Sequence, residues 1–348
     1  MVFLFTKAYN AEGTIRRAID SILNQTYRDI VYYLCDNASN DKTFDVMNEY
    51  AFKDKRIQLL RNEYNTSLTG INGWSNVKLI ESELLKYKGT HYYAILDADD
   101  EYAPDFLEKM ISFMKKNDLE VATCGSEWLD GKTGKTIKQK VIDKTLLLEG
   151  SDFAGQFPYY RNFMVTIWGA VYSLELLRRC NFEWSKNAMN FSDTAFCMEA
   201  FHKANRAGVL AECLHKYYIS PDTGSYRYNP DWFKACKYLH EISREYLLDY
   251  GELSKQNQDY LWVLFFILLK YIIPRIQQAD ADLYEKLKSL HDIFSDDMTQ
   301  YVLKNWERVG IYSNKQNFLS EIQTWLFTQE GGEIYRQVVG DIIASLGA

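Results

Sequence analysis

The segment AILDADDEYAP at residues 94–104 places four acidic side chains within five positions, directly after an apolar run. The four are Asp97, Asp99, Asp100 and Glu101. They would repel one another strongly without a counter-charge. A divalent cation such as Mg²⁺ or Mn²⁺ prefers carboxylate oxygens. A solvated helix start would account for Asp100 and Glu101, but not for Asp97 at the end of a strand. The segment therefore favours a cation site.

Two other acidic motifs match this segment in part. An EF-hand loop fits Asp97, Asp99 and Glu101, but Tyr102 stands where that loop needs glycine, and a strand precedes it instead of a helix. Enzymes that form an aspartyl-phosphate also end a strand on an Asp-x-Asp pair. They usually carry Thr or Val at the position of Glu101. The EF-hand is excluded, and phosphotransfer through Asp97 stays open as an alternative.

Alternating strand and helix patterns must position these acids. Four apolar runs predict strands: MVFLF at 1–5, DIVYYLC at 29–35, RIQLL at 56–60 and HYYAIL at 91–96. Helical patterns follow each run: one after Asn10, which we expect to cap it, one around 44–50, one at 69–86 and one after Pro104. This alternation predicts a Rossmann-like, mostly parallel sheet with helices on both faces.

Polar segments follow three of these predicted strands: TKAYN, DNAS and DADD. In open α/β sheets the ligand lies beyond the carboxyl ends of the strands. We therefore expect the three segments to converge on one crevice.

The remainder of the chain changes character towards its C-terminus. Between 119 and 228 the patterns are mixed, with strands LEVATCG and MVTIWGAVY and helices around 174–180 and 193–207. Beyond about residue 230 strand signals fade, which predicts a helical C-terminal domain at 229–348 after a first domain at 1–228. Its most apolar stretch, at 260–269, is too short to cross a bilayer and predicts a core helix. The apolar faces of such helices must be covered by the catalytic domain or by a partner subunit, as in a homo-oligomer.

Composition narrows the class of protein. The net charge of −7 argues against nucleic-acid binding, which needs a basic surface. Aromatic residues make up 15% of the chain, which suits sugar and nucleoside sites or an aromatic-rich core. The six cysteines have no CxxC spacing and no secretory signal precedes them, which predicts reduced, mostly buried thiols in a cytoplasmic protein.

A locally basic stretch interrupts this acidic chain. It contains the lysines at 132, 135, 138, 140 and 144, around a DGKTGKT sequence that predicts a hairpin turn. A phosphate-binding P-loop is excluded because Leu129 stands where its first glycine belongs. The lysines fit either a solvated hairpin or a contact with an anionic membrane surface or a lipid-linked acceptor.

Five segments, taken in order over residues 1–228, resemble the family 2 glycosyltransferases, which are inverting enzymes of the GT-A fold. The segments are FTKAYNAEGTIRRAIDSILNQTYRDI, CDNASNDKT, AILDADDEYAPDFLEKM, IWGAVYSLELLRRCNFEW with NFSDTAFCMEAFHKA, and YYISPDTGSYR. The resemblance implies a nucleotide-sugar donor, usually a UDP-sugar, and a saccharide or lipid-linked acceptor. It also implies a divalent cation, Mn²⁺ or Mg²⁺.

The resemblance further implies roles for individual residues. The donor side would contain Lys7, Ala8, Tyr9, Asp36, Asp97 and Ala98. Among these, Asp36 would contact the uracil or ribose, and Asp97 would lie near the ribose or donor sugar. Asp99 would be the principal metal ligand and Asp193 the general base. The roles are chemically coherent, because a cation stabilises the departing diphosphate and a carboxylate takes the proton of the acceptor hydroxyl.

Other assignments are left with alternatives. Trp168 and Tyr172 would line the acceptor site or belong to a core strand, and Asp193 would otherwise cap a helix. Asn37 and Ser192 depart from the family pattern, which usually has acids there. These departures leave open a catalytically degenerate module that binds a nucleotide sugar without turnover.

Overall fold

The computed structural model describes residues 1–66, 89–188, 191–220, 229–251, 253–306 and 315–347. It divides the chain into two compact units, Met1–Ser220 and Pro221–Ala348. The helix predicted at 69–86 lies outside the described residues, as does most of the segment at 217–227 that resembles a donor loop.

Four parallel strands form one half of the sheet in the first unit. They are β1 (Val2–Ala8), β2 (Ile30–Asp36), β3 (Ile57–Arg61) and β4 (Tyr92–Ile95), in the spatial order β3-β2-β1-β4. Ala8 pairs with Asp36 across β1 and β2, and Phe5 pairs with Ile95 across β1 and β4. The carboxyl ends of β2 and β4 therefore lie two strand spacings apart, as the predicted crevice requires.

The other half of the sheet mixes strand directions. Its strands are β5 (Glu101–Tyr102), β6 (Val121–Asp130), β7 (Thr136–Lys140), β8 (Leu146–Glu149), β9 (Ala170–Ser173) and β10 (Arg206–Ile219). β9 lies antiparallel between β4 and β6, and β10 runs parallel to β6 and antiparallel to β5. β6 and β7 form the predicted hairpin.

Two sequence predictions in this half are wrong. The strand expected at MVTIWGAVY shrinks to β9, because Met164 ends a 3₁₀ helix and residues 165–169 form bends and a turn. The strand β10 was missed altogether. Its register shifts between Leu210 and His215, and such bulges interrupt the alternation by which strands are recognised.

The helices of the first unit pack against this sheet. They are α1 (Ile15–Leu23), α2 (Thr43–Lys53), α3 (Phe106–Asn117), α4 (Asp152–Gly155), α5 (Phe157–Tyr160), α6 (Leu174–Arg179), α7 (Glu183–Asn187) and α8 (Ser192–Lys203). The predicted apolar stripe of α1 is buried at Ile15, Ile19 and Ile22. Asn10 does not cap α1, which is preceded by Thr14. Instead Asn10 adopts a left-handed φ of 49° and its Oδ1 accepts the N–H of Asn40, which joins the loops after β1 and β2.

The described part of the second unit is helical. Its helices are α9 (Trp232–Leu248), α10 (Lys255–Gln278), α11 (Leu283–Ser295), α12 (Asp297–Lys304), α13 (Lys315–Thr328) and α14 (Glu333–Gly347). The predicted core helix is α10, which buries Leu261, Phe265 and Leu269. Over the described residues, none of the helices has the length and apolarity to span a membrane. All six cysteines are free thiols, and only Cys213 is partly exposed.

Candidate active site

The loop after β2 encloses a carboxylate. Asp36 is completely buried, its Oδ1 accepts the N–H of Ser39 at 3.3 Å, and its Oδ2 lies 3.1 Å from Nε of Arg61. The half-exposed Arg61 guanidinium stands 4.3 Å from the ring centre of Phe44. Asp36 thus holds Arg61 and the loop, and its carboxylate presents no surface to a ligand directly.

The hydrogen bonds of the neighbouring Asn37 explain why an asparagine stands where the family usually has an acid. Its Oδ1 accepts the side-chain N–H of Asn62 at 2.8 Å and the backbone N–H of Thr66 at 3.1 Å. Its Nδ2 donates to Asn65 at 2.8 Å. A carboxylate could not donate the last of these bonds. Lys7, whose pKa is lowered by burial, donates to Thr66 Oγ1 at 2.7 Å.

The acidic cluster after β4 comes together as predicted. One carboxylate oxygen each from Asp97, Asp99 and Asp100 lies within 4.8 Å of the other two. The alternative of a solvated helix start does not hold for Asp100, which is completely buried. Its Oδ1 accepts the N–H of Tyr218 at 2.9 Å, and its Oδ2 lies 3.2 Å from Nε2 of His215.

Burial and mutual repulsion raise the pKa values of the carboxyl groups in this cluster. Burial raises the pKa of Asp100 well above its ordinary value, and the charge of Asp99 raises it further. Burial also lowers the pKa of His215 to about 3, so the ring is neutral and does not neutralise the carboxylates. Hard divalent cations prefer carboxylate oxygens, and several such oxygens lie together here. The donor atoms present therefore fit Mg²⁺ or Mn²⁺.

Asp193 lies close to this cluster, although 93 residues separate it in sequence from Asp100. The pKa of Asp97 is raised well above its usual range, first by burial, then by the charges of Asp100 and Asp99, and also by that of Asp193. Asp193 itself is accessible to solvent, yet the surrounding protein removes enough water to raise its pKa.

Asp193 does not cap α8, which was the alternative role for this residue. Phe191 occupies the cap position of α8, no side chain caps the helix, and Asp193 falls inside the first turn. The side chain of Asp193 is therefore available to a ligand.

A network that the sequence did not reveal holds the acidic loop in place. Arg17 of α1 donates to the backbone oxygen of Asp99, lies 3.4 Å from Glu101 and stacks 3.6 Å from the ring centre of Tyr218. The Tyr218 hydroxyl also donates to Glu101 at 2.9 Å. Nothing in the pattern of α1 distinguishes Arg17 from an ordinary solvated residue on the polar face of a helix.

The two aromatic residues predicted for the acceptor side differ in position. Trp168 is 7% exposed and stacks on His215 and Tyr217, with ring centres 4.3 and 5.1 Å apart. Tyr172 is completely buried, and its hydroxyl lies 3.2 Å from the sulfur of Cys197. Tyr172 therefore packs in the core and offers no surface to an acceptor, which corrects the prediction for that residue.

Comparison with known proteins shows the family and the fold of this chain. The family model Glycosyl transferase family 2 matches residues 4–180, about half of the chain, and the chain belongs to that family. Crystal structures of Staphylococcus aureus TarS 1–349 share the GT-A fold of this chain. One of them aligns with a TM-score of 0.62 and 15% identity over 99% of this chain and 90% of that chain.

Sequence relatives are also glycosyltransferases. YibD of Escherichia coli K12, an uncharacterized glycosyltransferase, is 22% identical over 321 residues, which cover 87% of each chain. WfgD of Escherichia coli is a UDP-Glc:alpha-D-GlcNAc-diphosphoundecaprenol beta-1,3-glucosyltransferase. It is 34% identical over 152 residues, which cover 43% of this chain and 55% of WfgD.

Proposed function

We propose that this family 2 glycosyltransferase moves a sugar from a UDP-sugar to a hydroxyl acceptor with inversion, assisted by a divalent cation. The donor would lie along the carboxyl ends of β1, β2 and β4. The solved structures of TarS include complexes with UDP and with UDP-GlcNAc. The names of WfgD and of its relative WfaP specify UDP-Glc as donor. These findings support UDP as the nucleotide.

Donor binding is assigned to residues at three strand ends. Lys7 and Ala8 are the last two residues of β1, and Tyr9 follows them, where it is 38% exposed and able to pack against a base. Asp36 acts on the nucleotide through Arg61, which it orients.

The cation would be held by Asp99, with Asp97 and Asp100 beside it. When bound, it supplies positive charge to the departing diphosphate. Ala98 would contribute only its backbone to the site, because it lies between Asp97 and Asp99. The raised pKa values of Asp97 and Asp100 are consistent with a site whose charge is completed by a ligand.

Asp193 is proposed as the general base. The proton of the acceptor hydroxyl passes to a carboxylate oxygen of Asp193 while the acceptor oxygen bonds to the anomeric carbon. The bond between that carbon and the diphosphate oxygen breaks on the opposite face, and UDP leaves with the electron pair. No covalent sugar–enzyme intermediate is needed. The raised pKa of Asp193 makes it a stronger base than an ordinary carboxylate.

The observation that carries this proposal is that the charge of Asp193, on a separate helix, acts on Asp97. A phosphotransferase that uses Asp97 needs no second acid contributed by a separate helix. A transferase that holds a diphosphate at one end and deprotonates a hydroxyl at the other needs two acidic positions in one cleft. The electrostatic effect of Asp193 on the pKa of Asp97 supports this arrangement.

A panel of nucleotide sugars tests the proposal. Because a ligand that binds the native state raises thermal stability, the melting temperature is measured with UDP-, GDP- and dTDP-sugars, with and without Mn²⁺. We expect UDP-sugars to raise it in the presence of Mn²⁺, and Asp99→Ala to abolish that increase. The matched control is Asp45→Asn, an exposed acid in the first turn of α2.

Transfer is then measured with the stabilising donor and a panel of saccharide and lipid-linked acceptors. Release of UDP only in the presence of an acceptor supports the proposal. Hydrolysis of a generic phosphomonoester that is lost in Asp97→Asn would favour phosphotransfer instead. Tight donor binding without turnover on any acceptor would favour a degenerate binding module.

A further inference from the structure

Two cationic side chains lie together on the α8 side of the first unit. Lys140 ends β7, and its Nζ donates to the backbone oxygen of Asn162 and stands 5.4 Å from the ring centre of Phe163. Arg161, which begins the 3₁₀ helix, is 4% exposed. Burial first, and then the charges of Arg161 and Lys138, lower the pKa of Lys140 to about 8.

Hydrogen bonds join this cation pair to the turn that carries the proposed base. Thr194, next to Asp193, donates to the backbone oxygen of Val165 at 2.8 Å. One turn later Cys197 donates to the oxygen of Thr166 at 3.2 Å. The charges of Asp193 and Arg161 both act on the pKa of the Cys197 thiol, which burial raises. The residues from Arg161 to Thr166 therefore connect the cations with the first two turns of α8.

The sequence secures the position of Lys140. A Cβ added to Gly125 would lie 2.7 Å from the backbone oxygen of Lys140 and 3.0 Å from Cβ of Val141. Only glycine therefore permits the end of β7 to approach β6 this closely. Among the residues that the structure describes, no carboxylate forms an ion pair with Lys140. An ammonium group that stands near another cation and has no ion pair with a carboxylate can bind an external anion.

We propose that Lys140, with Arg161 behind it, binds a phosphate ester carried by the acceptor. This inference rests on the proposed function, because the cations identify an acceptor subsite only if Asp193 deprotonates the acceptor. The diphosphate of the donor is assigned to the carboxylate cluster, so a second anion site beside Asp193 belongs to the other substrate. Fully exposed lysines of the hairpin, such as Lys135, would suit a membrane surface, whereas Lys140 is half-buried against its own protein.

Anion binding is tested first without catalysis. Inorganic pyrophosphate is titrated into the full chain by calorimetry in EDTA, with and without UDP. We expect Lys140→Gln to weaken binding by at least about 10-fold, while Lys140→Arg and the exposed control Lys135→Gln bind like the wild type. Methyl diphosphate and dimethyl phosphate distinguish a diphosphate ester of the lipid-linked type from a phosphodiester. Equal affinity in Lys140→Gln and Lys135→Gln, no binding to the wild type, or displacement by UDP overturns the proposal.

Acceptor selectivity is tested second. The same sugar is supplied as a diphosphate ester, a phosphodiester and an uncharged methyl glycoside. Lys140→Gln should raise KM for the charged acceptor by about 10-fold and leave the methyl glycoside unaffected. A uniform loss across all three acceptors overturns the subsite. If no acceptor is glycosylated at all, the proposed function fails, while the pyrophosphate titration still reports on the anion site.

Binding to a membrane surface gives a different pattern. The protein is sedimented with phosphatidylglycerol vesicles that contain no acceptor. If Lys140→Gln and Lys135→Gln lose vesicle binding together, and pyrophosphate affinity is unchanged in both, the lysines serve a lipid surface and the acceptor subsite is overturned.

Discussion

Replacing Asp193 by asparagine tests the division of labour within the proposed site. The amide has the same size as the carboxylate but cannot accept a proton. If Asp193 is the base, transfer should slow by roughly 10²–10⁴-fold, which corresponds to about 2.7–5.4 kcal/mol in the activation free energy. Folding should change little, because Asp193 makes no capping hydrogen bond at the start of α8.

The effect of this substitution on the cation is the sum of two opposed terms. Removing the charge of Asp193 reduces the attraction for a cation, but it also removes one of the charges that raise the pKa of Asp97 and so favours the ionised form of that ligand. We therefore expect the affinity for Mn²⁺ and UDP to stay within about threefold of the wild type, or roughly 0.6 kcal/mol.

The two quantities are measured side by side. Calorimetry gives the affinity for UDP with Mn²⁺, and single-turnover kinetics give the transfer rate, for Asp193→Asn and for the control Asp45→Asn. The control removes an exposed acid from the first turn of α2 and so matches the loss of a charge near a helix N-terminus. A variant that retains more than about a tenth of the rate would refute the assignment, and Glu149 and Asp152 would be examined next. A large loss of UDP affinity would place Asp193 in donor binding.

Three further predictions concern stability and pH. The folded-state pKa of Asp97 is raised above its unfolded value, so the metal-free protein should lose stability as the pH rises above about 4, the ordinary pKa of an aspartate. By removing this charge, Asp97→Asn should raise the melting temperature in EDTA at pH 7 by roughly 2–4 °C. Gly208→Ala should destabilise the first unit by roughly 1–3 kcal/mol in urea unfolding. The reason is that the added Cβ would lie 2.6 Å from Leu119 and 2.7 Å from Phe113. Unchanged stability would mean that these side chains move aside freely. The pKa of Lys140, about 8, predicts that calorimetric pyrophosphate affinity falls between about pH 7 and 9, whereas a flat profile would exclude this amine.

The half of the sheet formed by β1 to β4 was predictable because its signals are local. Buried parallel strands read as continuous apolar runs, and MVFLF and HYYAIL gave the central pair correctly. Once the strands are parallel, their carboxyl ends must share an edge, and the polar segments after β1, β2 and β4 are brought together by topology alone. The convergence of Asp36 and the acidic cluster therefore needed no knowledge of side-chain packing.

The half of the sheet formed by β5 to β10 depends on contacts between residues distant in sequence. Asp100 is buried only because β10 crosses β5, and its partner Tyr218 lies 118 residues later. A pattern of acids after a strand cannot distinguish that outcome from a solvated helix start. Arg17 is a similar case, since its contacts with Asp99 and Tyr218 depend on three separate elements. Sequence periodicity reports which face of an element is buried, and it does not report what lies opposite.

The first unit contains two groups of like charges, one acidic and one basic. On the proposed donor side three carboxylates stand together beside a neutral His215, and on the proposed acceptor side Lys140 stands against Arg161. Each group costs the empty protein stability, because like charges repel and burial removes their water. A cation with a diphosphate would relieve the first cost, and a phosphate ester would relieve the second. Because the two costs arise from separate groups, Asp97→Asn and Lys140→Gln should each stabilise the empty protein, and their effects should add to within about 0.5 kcal/mol.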